Sequence, residues 1–350
     1  MELKDFFQAI ISSDVSDIHF KVGAPPVLRA KGKIIRTKVS PLNRKTVEEL
    51  ISRLMDDDQK QRFAKDGELD FSTTLESVGR FRINAFRERS NPAMSIRVVP
   101  TVAKTPEDLN LPAKQIAALA KEKRGLILFS GITGAGKTTT LNSFIRYINE
   151  NLDKRIVTIE DPIEFYHQDS KSTICQREVG IDTASYAKAL KYVLRQDPDV
   201  IVIGEIRDRE TMESALLAAE SGHLVCSTIH TIDAVKAVLR IIDMFAREDH
   251  ERARNTFASV LKAVITQRLV PSADGSIIPA TEILLGTVST RRAIQMGKID
   301  DLYRAMAEGE YYGMHTFDQN LVSLFKSKKI SKDIAMEFAT NPEDLKVKLL

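Results

Sequence analysis

The sequence predicts an α/β protein: a mostly parallel sheet with helices on both faces, preceded by a smaller α/β module. Three observations carry this. Residues 126–130, 156–160, 200–204, 224–228 and 281–285 are short apolar runs rich in β-branched residues. Helical patterns at 137–151, 183–196 and 208–221 separate most of them. Strands buried on both faces give continuous apolar runs because helices cover both sides. Lastly, Gly131-Ile132-Thr133-Gly134-Ala135-Gly136-Lys137-Thr138 follows the first run and opens a helix, matching G-x-x-x-x-G-K-[ST].

From the N-terminus, Leu3, Phe6, Phe7, Ile10 and Ile11 fall at helical spacing. Strand patterns follow at 17–22 and 27–35, with turn signals at Gly23, Pro25, Pro26 and Gly32. Residues 42–55 read as a helix. Residues 79–86 and 93–99 read as strands around a turn at Ser90-Asn91-Pro92. The proline-rich stretch 100–112 is the best linker. The expected organisation is therefore a module at 1–100, a linker at 101–112, a core at 113–286 and a helical region at 287–350. In that last region Leu302, Met306, Phe317, Leu321, Leu324 and Phe325 are the expected buried positions.

Composition narrows the function. The chain has 350 residues, enough for two or three domains. With 51 Lys+Arg against 48 Asp+Glu the net charge is +3, and no basic, aromatic-rich platform appears. Both argue against a nucleic-acid translocase, one function class that a P-loop allows. Cys175 and Cys226 are the only cysteines, which excludes a disulfide framework or a four-cysteine zinc site and suits a reducing compartment. No apolar run approaches the ~20 residues of a membrane span. The start shows no signal-peptide pattern, so a cytoplasmic protein without a transmembrane segment is expected.

The chemistry centres on the glycine-rich loop. Gly131, Thr133, Gly134, Ala135, Gly136, Lys137, Thr138 and Thr139 are the expected ATP contacts. Small residues let backbone N–H groups face phosphate oxygens, Lys137 reaches the β- and γ-phosphates, and Thr138 is placed to ligate Mg²⁺. Glu205 ends the strand pattern 200–204 and is the candidate for activating water, alone or through Mg²⁺; the alternative is a solvated pair with Arg207. Glu160 and Glu164, in Glu160-Asp161-Pro162-Ile163-Glu164, are further acids expected at the same sheet edge. His230, just after the strand 224–228, can sense the γ-phosphate; His223 opens that strand from the other end, as a second catalytic candidate or a structural residue.

The order of these motifs resembles the type II/IV secretion ATPases, in which they are the Walker A, Asp, Walker B and His boxes. Within that family the chain is similar to the PilT/PilU-type retraction ATPases of type IV pili. The resemblance extends to Ser16-Asp17-Ile18-His19 and Gly313-Met314-His315-Thr316-Phe317-Asp318-Gln319. It implies a homo-hexamer of subunits with a PAS-like N-terminal domain and a RecA-like ATPase domain. It also implies arginines assisting the phosphates. Arg80 and Arg82 alternate with Phe81 and Ile83 on one strand, Arg87 follows in the turn region, and Arg97 lies on the next strand. The implied partners are an inner-membrane pilus platform protein and a paralogous retraction ATPase, with the chain peripheral at that membrane. Two cysteines cannot build the tetracysteine zinc site of many extension and secretion ATPases, which favours retraction. Ser289-Thr290-Arg291-Arg292-Ala293-Ile294-Gln295-Met296-Gly297-Lys298 keeps part of the Ala-Ile-Arg-Asn-Leu-Ile-Arg-Glu pattern of retraction motors. Principal motor and accessory subunit both stay open.

Overall fold

A computed structural model of the chain describes Phe7 and residues 15–30, 32–75 and 78–349. The start expected to be helical lies outside the described residues except for Phe7, which is helical and buried. The chain divides into two compact units: Met1–Val102 with Glu164–Tyr166, and Ala103–Ile163 with His167–Leu350. The division falls inside the stretch read as a linker.

In the first unit, β1 (Val15–Lys21), β2 (Val27–Ala30), β3 (Lys33–Arg36), β4 (Leu69–Leu75), β5 (Gly79–Glu88) and β6 (Asn91–Val99) form one sheet. The order is β3-β2-β1-β6-β5-β4, and every neighbouring pair is antiparallel. The helix Arg44–Leu54 turns Val47, Ile51 and Leu54 into a core with Phe81, Ile83 and Ile96. Period two on β5 buries Phe81, Ile83 and Ala85 between the more exposed Arg80, Arg82 and Asn84. The β5–β6 turn is Arg89-Ser90 rather than Ser90-Asn91-Pro92. Arg89 and Ser90 have φ of 50° and 62°, and Glu88 pairs with Asn91, which is the geometry of a two-residue hairpin. Arg87 consequently lies within β5, not in the turn. The helix Asp57–Asp66 went unread because it buries no residue; its Asp56/Gln59 capping box and left-handed Gly67 were the available signals.

The second unit is built on β7 (Gly125–Ser130), β8 (Arg155–Glu160), β9 (Thr173–Glu178), β10 (Val200–Ile203), β11 (Leu224–Ile229), β12 (Leu261–Pro271) and β13 (Ile277–Leu285). The order is β13-β12-β7-β11-β10-β8-β9. All pairs are parallel except the edge pair β12–β13. Alternate residues serve opposite faces: Leu126, Leu128, Ile201, Ile203 and Val225 join one core, and Ile127, Phe129, Val200, Val202 and Cys226 the other. Burial on both faces is what made these runs continuously apolar. The sequence reading missed β9 because it is a half-buried edge strand of polar composition. It missed β12 because the helix His250–Val260 ends directly against Leu261, with no turn residue to mark the change.

Gly313-Met314-His315-Thr316-Phe317-Asp318-Gln319 proves to be a joint. Thr316 and Gln319 make a capping box for the helix Phe317–Lys326. The buried Asp318 carboxylate accepts the N–H groups of Thr340 (2.7 Å) and Asn341 (3.0 Å). His315 pairs with Ile283 of β13, and the Arg268 guanidinium lies 4.0 Å from the Phe317 ring centroid. Of the expected buried positions here, only Phe325 is half-exposed.

Phe144 is fully buried under the sheet, 5.6 Å from Phe129 between ring centroids. Phe144→Ala removes that volume from the helix that carries the phosphate loop. It should cost about 3–5 kcal/mol, read as a lower urea midpoint for this unit at an unchanged slope.

Candidate active site

The phosphate loop is shaped by what surrounds its glycines. Gly131 has φ +152°, and a Cβ there would stand 2.8 Å from the Gln267 carbonyl oxygen and 2.9 Å from the Ala135 Cβ. Gly136, at φ +84°, is the N-cap of the helix Lys137–Asn151 and leaves that helix without a side-chain cap. The first-turn N–H groups are therefore available to an anion, and the helix dipole favours one. Gln267 on β12, 2% exposed, donates from Nε2 to the Ala135 carbonyl oxygen and so braces the loop from the neighbouring strand. It was missed along with its strand.

Lys137 is 6% exposed. Its Nζ donates to Ile132 O at 2.9 Å and stands 3.5 Å from Nδ1 of His230. On the other side of the imidazole, Nε2 lies 3.6 Å from Glu205 Oε2. Burial first, then the Lys137 charge, hold the His230 pKa below its ordinary value of 6.5. A neutral imidazole that accepts at Nδ1 carries its proton on Nε2, facing Glu205. The Glu205 side chain is 13% exposed, and Oε1 also pairs with Arg207 Nη2 at 2.5 Å. The surface pair weighed from the sequence thus forms on one carboxylate oxygen while the other faces His230. Arg207 is 73% exposed, so that pair adds little stability.

Tyr186 was also missed. Its hydroxyl stands 3.0 Å from where a Gly204 Cβ would be. Burial first, then the carboxylates of Asp161, Glu205 and Glu160, push its pKa up. Glu160 ends β8 almost fully buried and accepts from Thr158 Oγ1 (2.6 Å) and Gln176 Nε2 (3.1 Å). Glu164 is exposed and groups with the first unit.

His223 stands at the opposite end of β11 from His230. Its Nδ1 is 3.1 Å from both Ser221 Oγ and Ala218 O, at the end of the helix Arg209–Glu220. Within the first unit, Arg80 Nη1 donates to Thr74 Oγ1 (3.3 Å), Arg97 Nε donates to Asp17 Oδ1 (3.0 Å) and Arg87 stacks over Phe63 at 5.6 Å. The arrangement brings together Lys137, His230, Glu205 and Arg207; Glu160 and Tyr186 stand beside Gly204, the residue before Glu205.

Among the described residues, no three His, Cys, Asp or Glu side chains cluster to hold a metal. Mg²⁺ takes oxygens from substrate phosphates and one or two protein groups and keeps several waters. Thr138, in the first turn of the loop helix, and Glu205 are the residues present for it.

A parallel sheet in which β7 runs into a glycine-bounded phosphate loop, with a histidine after its neighbour β11 and an acid after β10, defines a RecA-like P-loop ATPase. The chain belongs to the type II/IV secretion system protein family, whose profile matches residues 2–303. It is 38% identical over 344 residues to the type IV pilus retractation ATPase PilT of Pseudomonas aeruginosa, covering 98% of this chain and 100% of that one. It is 38% identical over 348 residues to the type IV pilus ATPase PilU of the same organism, covering 99% and 91%. A crystal structure of the pilus retraction motor PilT with bound ADP superposes with a TM-score of 0.89 at 39% identity, covering 99% of each chain.

The His230 environment gives a signed prediction. In a ¹³C-histidine NMR titration its pKa should lie below 6.5, rise in Lys137→Met and fall further in Glu205→Gln, because Lys137 lowers it and Glu205 raises it.

Proposed function

We propose that this chain is the subunit of a hexameric Mg²⁺-ATP-hydrolysing motor that powers type IV pilus retraction, the movement behind twitching motility. The observation that carries the reading is the Lys137–His230–Glu205 cluster at the mouth of the phosphate loop, in a chain of this family. The loop from Gly131 to Gly136, with Thr133, Ala135 and Thr139, binds the ATP phosphates. Lys137 exchanges the Ile132 carbonyl for a phosphate oxygen. Thr138, with Glu205 through water, would hold Mg²⁺, which would supply positive charge against the phosphates. Glu205 takes the proton of the attacking water, and Glu160 sets the acidic field around it through Tyr186. His230, poised between Lys137 and Glu205, registers whether the γ-phosphate is present. Arg80, Arg82, Arg87 and Arg97 are the cations for the transition state. His223 serves the helix end it touches.

A site that grips the γ-phosphate in only one of two states turns hydrolysis into a change of conformation. The recipient of that motion is a pilus platform protein of the inner membrane. The chain meets it as a cytoplasmic partner; among the described residues no helix is long and apolar enough to cross a membrane. The match to PilU over nearly the whole chain favours a second reading, an accessory ATPase that works beside a principal retraction motor.

Glu205→Gln should keep ATP binding and lose turnover by about 10² to 10⁴-fold, the usual contribution of a general base; full turnover in the variant would remove Glu205 from that role. Turnover by the purified chain alone, against turnover that needs an added paralogous motor, separates the two readings.

A further inference from the structure

Behind the site, three fully buried polar residues stand in one row across the sheet. Ser130 on β7 pairs with Thr266 on β12, and Thr266 pairs with Glu282 on β13. A carboxylate 3% exposed at the edge of a hydrophobic core is costly unless its oxygens are used. Here they are. Glu282 Oε1 accepts the Ala234 N–H at 2.8 Å, the first N–H of the helix Ala234–Asp243. The backbone N–H of Phe317, at the start of the helix Phe317–Lys326, adds to the pull that favours the charged form of Glu282. The carboxylate therefore sits on the N-terminus of the helix Ala234–Asp243, where a negative charge is favoured.

Ala234 follows the turn that carries His230. At its other side, that turn is tied to the start of the phosphate loop: Ser130 Oγ lies 2.6 Å from Thr231 Oγ1, which in turn donates to Asp233 O at 3.1 Å. Segment 230–233 is thus held at two points, one on β7 and one on β13.

We propose that Glu282 is a positioning residue for the nucleotide reaction: by holding the Ala234 N–H it fixes the turn that aims His230 between Lys137 and Glu205. The inference rests on the functional reading given above. The charged and titratable groups facing Glu282 are Asp233 at the helix N-cap, Arg268 on β12 and Tyr303 from the helix Asp300–Glu308. Burial, with Asp233 adding to it, raises the Glu282 pKa to about 7 against the pull of both N–H groups and Arg268. Ionised above that value, Glu282 makes charge-assisted bonds; protonated below it, the hold slackens.

The test is Glu282→Gln in the full chain, with thermal melting to confirm folding. Well above pH 7, where the wild-type Glu282 is ionised, the uncharged amide should let the turn relax, read as a change in the ¹³C chemical shifts of the His230 ring as the imidazole leaves Lys137. Turnover should fall on the order of 10- to 100-fold, the scale of a small misplacement. The fall in kcat on lowering the pH through about 7 should vanish in the variant. ADP affinity should stay within about twofold, because Gln267 and the phosphate loop are untouched; a general loss of structure would weaken it as well. If Glu282→Gln does not fold, Glu282→Asp, which keeps the charge but withdraws it by one methylene, should show the same shift of His230 and loss of kcat. Unaltered His230 ring shifts at that pH overturn the proposal, and so does wild-type turnover in a variant whose His230 has moved. Absence of ATP turnover in the wild-type chain would instead sink the functional reading, and the His230 ring shifts would still decide the role of Glu282.

Discussion

Parallel hydrogen bonding places β11 between β7 and β10, with Ser130 opposite Ile229 and Ile203 opposite Ser227. In a parallel sheet every strand points the same way, so one register aligns several carboxyl ends at one edge. The phosphate loop leaves β7 there, Glu205 follows β10 and His230 follows β11. Two further bonds lock the edge: Thr228 Oγ1 donates to Gly204 O at 2.8 Å, and Ile206 N donates to Thr228 O at 3.0 Å. A slip of one residue in any of these strands would exchange its two buried faces and move its terminal side chain by about 3.3 Å. The two hydrophobic cores therefore hold the chemistry in place although none of their residues takes part in it.

That edge concentrates polar groups where burial is expensive. Lys137, Glu160, Glu178, Thr228, Gln267 and Glu282 are all nearly inaccessible to solvent. Each is held by backbone or side-chain partners, in keeping with the rule that buried polar groups are hydrogen-bonded. The bonds are often to the backbone of a neighbouring segment: Lys137 to Ile132 O, Gln267 to Ala135 O, Glu178 to Ile163 N and Glu282 to Ala234 N. Such bonds fix loops that have little apolar surface of their own. The price of burying charge is met at the place where an anionic substrate and a metal would be bound.

Away from the site, the helical region after β13 folds back onto the sheet through the same kind of contact. Asp318, His315 and Arg268 join the helix Phe317–Lys326 to β12, β13 and the last residues, around a separate apolar cluster that includes Val270, Ile278, Leu321 and Leu345. The motif from Gly313 to Gln319 is explained by this joint.

Legibility followed burial and punctuation. Five of the seven strands of the main sheet stood out as apolar runs because both their faces are covered, and the phosphate loop stood out because only small residues fit between Gln267 and the helix start. The helix Asp57–Asp66 and the strand β9 were invisible to hydrophobic pattern because they bury little, and β12 because nothing separates it from the preceding helix. Two-residue hairpin geometry moved Arg87 from a turn into a strand. The sequence by itself determined the fold class, the phosphate loop and the acid and histidine that follow two strand patterns, since these depend on local composition and spacing. Only the tertiary structure decided that Gln267, Tyr186 and Glu282 belong with them. Those facts depend on strand order and register, which are set by pairing between segments distant in the chain.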